Sequence, residues 1–87
     1  MIDYTDLHRF ELTENGHTVF ADYRQTDRRY VISHVEADPA LRGTGAADRL
    51  MDGIVALARE KNLMIVPRCS YAIVWFKRRA DAADVMD

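Results

Sequence analysis

The apolar pattern of this chain changes its period at two closely spaced glycines, Gly43 and Gly45. Before them, residues 29–37 are rich in β-branched and aromatic side chains, as strands are, and this run stops at Asp38-Pro39. After them, residues 45–61 carry apolar side chains at helical spacing, with charged residues mostly on the other side. The chain is therefore expected to fold around a strand that leads through a glycine turn into an amphipathic helix.

Segments on either side of this unit predict further strands. Apolar and polar residues tend to alternate over 7–13 and over 17–23, and Asn15-Gly16 between them is typical of a tight antiparallel hairpin. Asn62 is expected to end the long helix in a left-handed conformation. Residues 63–66 then predict a short buried strand.

A second helix is predicted over residues 71–79, with Ser70 as its cap. This segment is apolar nearly all round, so we expect it to be heavily packed, while the tail 80–87 extends a helix or frays. The order of elements predicts an α+β fold with a central, mostly antiparallel sheet of about four strands and two main helices. With 87 residues, the chain has room for a single domain, residues 1–87.

Composition limits the partners of the chain. A formal net charge of -2 gives no general attraction to nucleic acid, and no apolar stretch is long enough to cross a membrane. Cys69 is the only cysteine and can make neither an internal disulfide nor, with the scattered His8, His17 and His34, a four-ligand zinc site. We therefore expect no metal, no nucleic acid and no membrane, and a reducing cytoplasm fits best. Because the core is small, a homo-oligomer is compatible with the sequence.

The glycine turn is a candidate anion site. The first backbone N–H groups of a helix lack partners within the helix and lie at the positive end of its dipole, so they can hold phosphate oxygens. Arg42 adds a cation beside them. The turn contains no Gly-Lys-Ser/Thr and no third glycine, which excludes the usual NTPase and dinucleotide loops. A tight connection that binds nothing remains the alternative.

Arg42, Gly45 and Ala47 satisfy the pattern Gln/Arg-x-x-Gly-x-Gly/Ala, which resembles the acetyl-coenzyme A (acetyl-CoA) motif of the GCN5-related N-acetyltransferases. Two further segments are similar to those of an unusually short subfamily, which has a His-x-Glu strand before the loop and a Pro-x-Cys segment after the helix. These are residues 34–45 and 66–71, and the resemblance spans roughly residues 30–79.

The sequence also departs from this subfamily. Where the short relatives have His-Pro-Glu-Tyr after the last helix, residues 79–82 read Arg-Ala-Asp-Ala. Full-length relatives carry helices between the first two strands that help to build an acceptor pocket. The hairpin at Asn15-Gly16 leaves no room for such helices in this chain.

The resemblance implies a minimal fold of this family, with acetyl-CoA as the acyl donor and an unidentified amine as the acceptor. It further implies that the pantetheine arm lies in a gap where the strand before the loop parts from its neighbour. The residues expected to hold the coenzyme are Val35, Ala37, Leu41, Arg42, Gly43, Thr44, Gly45, Ala46 and Ala47.

Glu36 is a candidate general base, which would take a proton from the amine directly or through water. Because residues two apart in a strand share a face, we expect Tyr30, Ile32, His34 and Glu36 to point the same way unless a bulge intervenes. A structural hydrogen-bonded pair of His34 and Glu36 is the alternative.

Cys69 and Tyr71 are the other candidate catalytic residues. Cys69 precedes a helix start, where the dipole favours the nucleophilic thiolate, although a lone cysteine is often a small buried hydrophobe. The resemblance implies that Tyr71 donates a proton to the leaving coenzyme A thiolate, and core packing is its alternative role. The sequence thus predicts an acetyl-CoA-dependent N-acetyltransferase. A non-catalytic module, or one that is acylated at Cys69, and a structural domain that binds no ligand remain as alternatives.

Overall fold

Five strands form one sheet in the order β1-β2-β3-β4-β5, in a computed structural model that describes all 87 residues. The strands are β1 (Ile2–Tyr4), β2 (Arg9–Glu14), β3 (His17–Thr26), β4 (Arg29–Ala37) and β5 (Met64–Pro67). The helices are α1 (Ala46–Lys61) and α2 (Ser70–Arg78), with 3-10 turns at Thr5–Leu7, Pro39–Leu41 and Ala80–Val85. Neither helix is long and apolar enough to cross a membrane.

Strands β1 to β4 pair antiparallel, and β5 pairs parallel to β4 because α1 connects them as a crossover. The predicted α+β fold with a mostly antiparallel sheet and two main helices is confirmed. The strand number is corrected from four to five by β1, whose three residues are too few for a visible alternation. A hydrogen bond from the Tyr23 hydroxyl to Asp3 Oδ1, 2.6 Å long, ties β1 to the sheet.

The predicted hairpin is present, with Asn15 and Gly16 both at positive φ between β2 and β3. The end of the long helix is also confirmed. Asn62 has φ 56° and caps α1, because its N–H donates to the Ala58 and Arg59 carbonyls of the last turn. Helix α1 packs across β2, β3, β4 and β5. Its buried residues Leu50, Met51 and Ile54 are fully enclosed in the core.

A β-bulge in β4 changes which side chains share a face. One extra residue, Ser33, lies between the pairs that Ile32 and His34 make with β3. Tyr30 and Ile32 are fully buried on the core side, whereas His34 and Glu36 are exposed. The expectation that all four point the same way is therefore wrong, and the inserted residue is the reason.

Helix α2 departs from the predictions at its start and in its packing. Its cap is Cys69 rather than Ser70, because the Cys69 Sγ accepts a hydrogen bond from the Ala72 N–H at 3.4 Å. The helix buries one face only, formed by Ala72, Trp75 and Phe76. Ile73 and Val74 lie on the exposed side, so the prediction of heavy packing all round is wrong.

The C-terminal tail neither extends α2 nor frays. It forms the 3-10 turn Ala80–Val85, buries Val85, and continues to Met86, which bridges to Ile65 of β5. Arg59 of α1 holds the turn through two hydrogen bonds to the Asp84 carboxylate, 2.8 and 2.9 Å long.

Candidate functional site

Strand β4 has an open edge over its last residues. Its parallel pairing with β5 runs only from Arg29 to Ile32. The last hydrogen bond to this side of β4 is donated by the Arg68 N–H to the Ile32 carbonyl, at 2.9 Å. Beyond this point the two strands diverge, while β3 continues to pair with β4 on the other side. A gap therefore opens beside the end of β4.

Backbone groups of β4 face this gap. The Asp38 N–H donates to the Thr18 carbonyl at 3.0 Å, so these two opposed residues form a hydrogen-bonded pair. Such pairs alternate with non-hydrogen-bonded ones in an antiparallel ladder, which turns the N–H groups of Val35 and Ala37 away from β3. The open edge thus presents unpaired peptide groups.

The glycine turn presents further free donors. The backbone N–H groups of Gly43, Gly45, Ala47 and Asp48 make no hydrogen bond within the protein. Gly43 and Gly45 have φ of 77° and 86°, a region that most residues with a Cβ, other than asparagine and aspartate, enter only with strain. Four free donors at the start of a 16-residue helix form an anion-binding arrangement.

The conformation of the turn is held by side chains. The Thr44 Oγ1 donates to the Leu41 carbonyl at 2.5 Å and accepts from the Ala46 N–H at 3.3 Å. The Arg49 guanidinium donates to the Thr44 carbonyl at 3.1 Å and makes two contacts of 2.7 Å with the Glu14 carboxylate. These contacts leave the N–H groups of Gly43, Gly45, Ala47 and Asp48 free.

A cleft of about 310 Å³ joins the open edge of β4 to the glycine turn. All but Thr44 of the residues expected to hold the coenzyme line it, and Tyr71 lines it from α2. Asp48 also lines the cleft and was missed, although its position in the first turn of the predicted helix was a usable signal. Arg42 forms no salt bridge, although its charge contributes to the lowered pKa of Asp38, so the guanidinium is available to a ligand. The lining residues are Val35, Ala37, Leu41, Arg42, Gly43, Gly45, Ala46, Ala47, Asp48 and Tyr71.

Tyr71 contributes a protonated hydroxyl to the cleft. Its partial burial, and then the nearby Asp48 and Asp52 carboxylates, raise the pKa of the phenol above its ordinary value. The group therefore remains a proton donor at neutral pH. It is 38% exposed and is not a core residue.

The other three candidate catalytic residues do not line the cleft. His34 Nε2 and Glu36 Oε1 are 3.0 Å apart, and both side chains are more than half exposed. They project from β4 on the face opposite to Val35 and Ala37, which line the cleft. Cys69 lies two residues beyond β5 and packs against the edge of the core. No three His, Cys, Asp or Glu side chains cluster in a way that could hold a metal ion.

A mostly antiparallel sheet that opens beside a glycine turn defines an α+β domain with an anion-binding cleft. Residues 9–85 match the family of GCN5-related N-acetyl-transferases, and the chain belongs to this family. The resemblance inferred from the glycine turn is thereby confirmed at the level of the family. The His-x-Glu and Pro-x-Cys traits of the short subfamily remain predictions.

A solved structure is similar to the chain over most of its length. It is the NMR solution structure of a GCN5-like protein from Staphylococcus aureus, with a TM-score of 0.69 and 27% sequence identity. The match covers 92% of this chain and 81% of that one. Comparison with curated proteins gave no match.

Proposed function

We propose that the protein is an acetyl-CoA-dependent N-acetyltransferase that acetylates an amine in the cytoplasm. The observation that carries this proposal is the set of four free N–H groups at Gly43, Gly45, Ala47 and Asp48 beside the open edge of β4. Family membership supports the reaction type. The donor and the acceptor are the proposed parts.

The two halves of the cleft suit the two halves of the donor. The free N–H groups and Arg42 would hold the pyrophosphate, which carries negative charge and several acceptor oxygens. The pantetheine arm contains two amides, and the unpaired peptide groups of Val35 and Ala37 would bond to them as a neighbouring strand does. The apolar side chains of the cleft would cover its methylene groups.

The chemical step needs two proton transfers. The amine nitrogen attacks the thioester carbonyl carbon, a C–N bond forms, and the C–S bond breaks. Glu36 takes the proton from the amine, directly or through water, and His34 at 3.0 Å orients its carboxylate. Tyr71 gives a proton to the departing thiolate. Because Glu36 lies on the other face of β4, the amine approaches through the gap that β5 leaves.

An alternative function is an acyl-CoA-binding module that turns over no amine or is itself acylated at Cys69. Its support is the short hairpin at Asn15-Gly16, where full-length relatives build an acceptor pocket, and the position of Cys69 at the start of α2. There the Cys69 Sγ accepts a hydrogen bond from the Ala72 N–H at 3.4 Å. The thiolate would attack the thioester, form a new C–S bond and release coenzyme A.

Calorimetric titration with acetyl-CoA, combined with an assay for coenzyme A release in the presence of primary amines, tests these functions. The transferase predicts saturable binding and release of one thiol for each acetylated amine. Binding without amine-dependent release would refute the transferase and leave the binding module. Absence of binding at millimolar acetyl-CoA would refute both.

A further inference from the structure

The Asp48 carboxylate lies at the glycine turn but contacts none of its free donors. Asp48 is the third residue of α1, and its own N–H is one of the four free groups. Its Oδ1 accepts hydrogen bonds from Trp75 Nε1 at 2.6 Å and from the Arg79 guanidinium at 3.0 Å. No backbone N–H donates to this carboxylate. The side chain is therefore bound to α2 and its C-cap, and not to the start of its own helix.

A carboxylate at this position is suited to cap its own helix. In a capping box, a side chain at the third helical position reaches back and accepts from the N-cap N–H, and the helix dipole attracts negative charge to the same place. The N-cap of α1 is Gly45, whose N–H is free and which has no side chain to act as a cap. Asp48 could thus occupy a donor that is proposed to receive the pyrophosphate.

Arg79 is held beside Asp48 by several further contacts. Its guanidinium lies 2.7 Å from the Asp52 carboxylate, 2.9 Å from the Asp81 carboxylate and 4.7 Å from the centre of the Trp75 ring. Three carboxylates share this one guanidinium, so the cluster keeps a net negative charge and Arg79 does not cancel the charge of Asp48. The contacts fix the position of the Asp48 carboxylate.

We propose that Trp75 and Arg79 are positioning residues for coenzyme binding, which hold the Asp48 carboxylate away from the Gly45 N–H. This inference rests on the proposed function, because the competition matters only if the glycine turn binds a phosphate. When the contacts to α2 are lost, the Asp48 carboxylate turns back and accepts from the Gly45 N–H. The pyrophosphate must then displace this internal anion, so its affinity falls.

Loss of either contact should weaken acetyl-CoA binding. Arg79→Ala is expected to lower the affinity about three- to tenfold, the effect of one competing hydrogen bond. Trp75→Phe deletes the indole N–H, keeps a buried aromatic ring, and should act in the same direction. Asp52→Asn is the matched control, because Asp52 contacts the same guanidinium from α1 but does not line the cleft, and its affinity should equal that of the wild type.

A double variant separates this role from general support of the fold. Asp48→Ala removes the competing carboxylate and keeps the backbone N–H, so the addition of Arg79→Ala to it should change the affinity no further. Calorimetric titration with acetyl-CoA measures all these variants. Unchanged affinity in both Arg79→Ala and Trp75→Phe, or an equal loss with and without Asp48, would overturn the inference. A wild-type protein that binds no acetyl-CoA would contradict the proposed function itself.

Hydrogen exchange in the protein without ligand gives a second readout. The Gly45 N–H should exchange more slowly in Arg79→Ala than in the wild type, because it becomes hydrogen-bonded to Asp48, and Asp48→Ala should abolish this protection. A merely structural role of Arg79 predicts faster exchange at Gly45, and that result would contradict the proposal. If Arg79→Ala does not fold, Trp75→Phe decides both measurements in the same way.

Discussion

Arg49 of α1 and Glu14 of the β2–β3 hairpin form a bidentate ion pair, with both contacts 2.7 Å long. The same guanidinium donates to the Thr44 carbonyl of the glycine turn at 3.1 Å. The hairpin therefore supports the turn through one side chain. This contact keeps a carbonyl oxygen engaged beside the donors that are proposed to receive the pyrophosphate.

Arg49→Ala is expected to weaken acetyl-CoA binding about three- to tenfold, the effect of losing a hydrogen bond that orients the turn. Glu14→Gln should act in the same direction, because Arg49 loses its charged partner. Arg24→Ala is a suitable control, since Arg24 is an exposed arginine of β3 that makes no ion pair. Amide exchange at Thr44 and Ala46, whose N–H groups form hydrogen bonds within the turn, should become faster in Arg49→Ala. Unchanged affinity in both variants would exclude a positioning role.

Local patterns were sufficient to predict the elements around the site. The bounds of β4, the hairpin at Asn15-Gly16 and the αL residue Asn62 all depend on neighbouring residues, and all agree with the structure. The position of the glycine turn belongs to the same class, because Gly43 and Gly45 supply its positive φ angles.

Features that depend on distant contacts could not be predicted. Strand β1 needs the hydrogen bond between Tyr23 and Asp3, and the tail needs the pairing of Met86 with Ile65. The bulge at Ser33 follows from the register of β3 on β4, which no local pattern contains. For the same reason the sequence could not place Glu36 outside the cleft.

Cys69 has two separable roles. In Cys69→Ser the hydroxyl can still accept from the Ala72 N–H, so α2 keeps its cap, whereas Cys69→Ala loses it at a cost of about 1 kcal/mol or less. If the protein is acylated at Cys69, intact mass after incubation with acetyl-CoA gains one acetyl group in the wild type and none in either variant. An adduct that persists in Cys69→Ser would exclude this thiol as the site.

The tail should release its ion pairs in acid. The hydrogen bond from Arg59 lowers the pKa of Asp84 below its ordinary 3.8. A lowered folded-state pKa stabilises the fold above the unfolded value and loses this contribution as the pH falls through the folded value. The free energy of unfolding is therefore expected to decrease as the pH falls below about 4. In Asp84→Asn this decrease should be smaller. Urea denaturation at several pH values measures the free energy of unfolding. The same pH dependence in the wild type and in Asp84→Asn would contradict the prediction.

Glu36 is tested best by turnover. Glu36→Gln should lower kcat about a hundredfold if the carboxylate is the general base, and the KM for acetyl-CoA should not change because Glu36 does not line the cleft. Glu11→Gln is a matched control, since Glu11 lies on the same face of the sheet across Phe20. An unchanged kcat would leave Glu36 as the structural partner of His34.

The most direct test of the anion site compares two glycines that have the same φ angle. Gly43 and Gly16 both have φ 77°, and a Cβ added to either would meet no atom within 4 Å. Replacement by alanine should therefore cost about 1 to 2 kcal/mol of stability at each. Only Gly43 lines the cleft, so calorimetric titration with acetyl-CoA should show at least about tenfold weaker binding in Gly43→Ala and nearly wild-type binding in Gly16→Ala. Equal affinity of the two folded variants would contradict the placement of the pyrophosphate at the glycine turn.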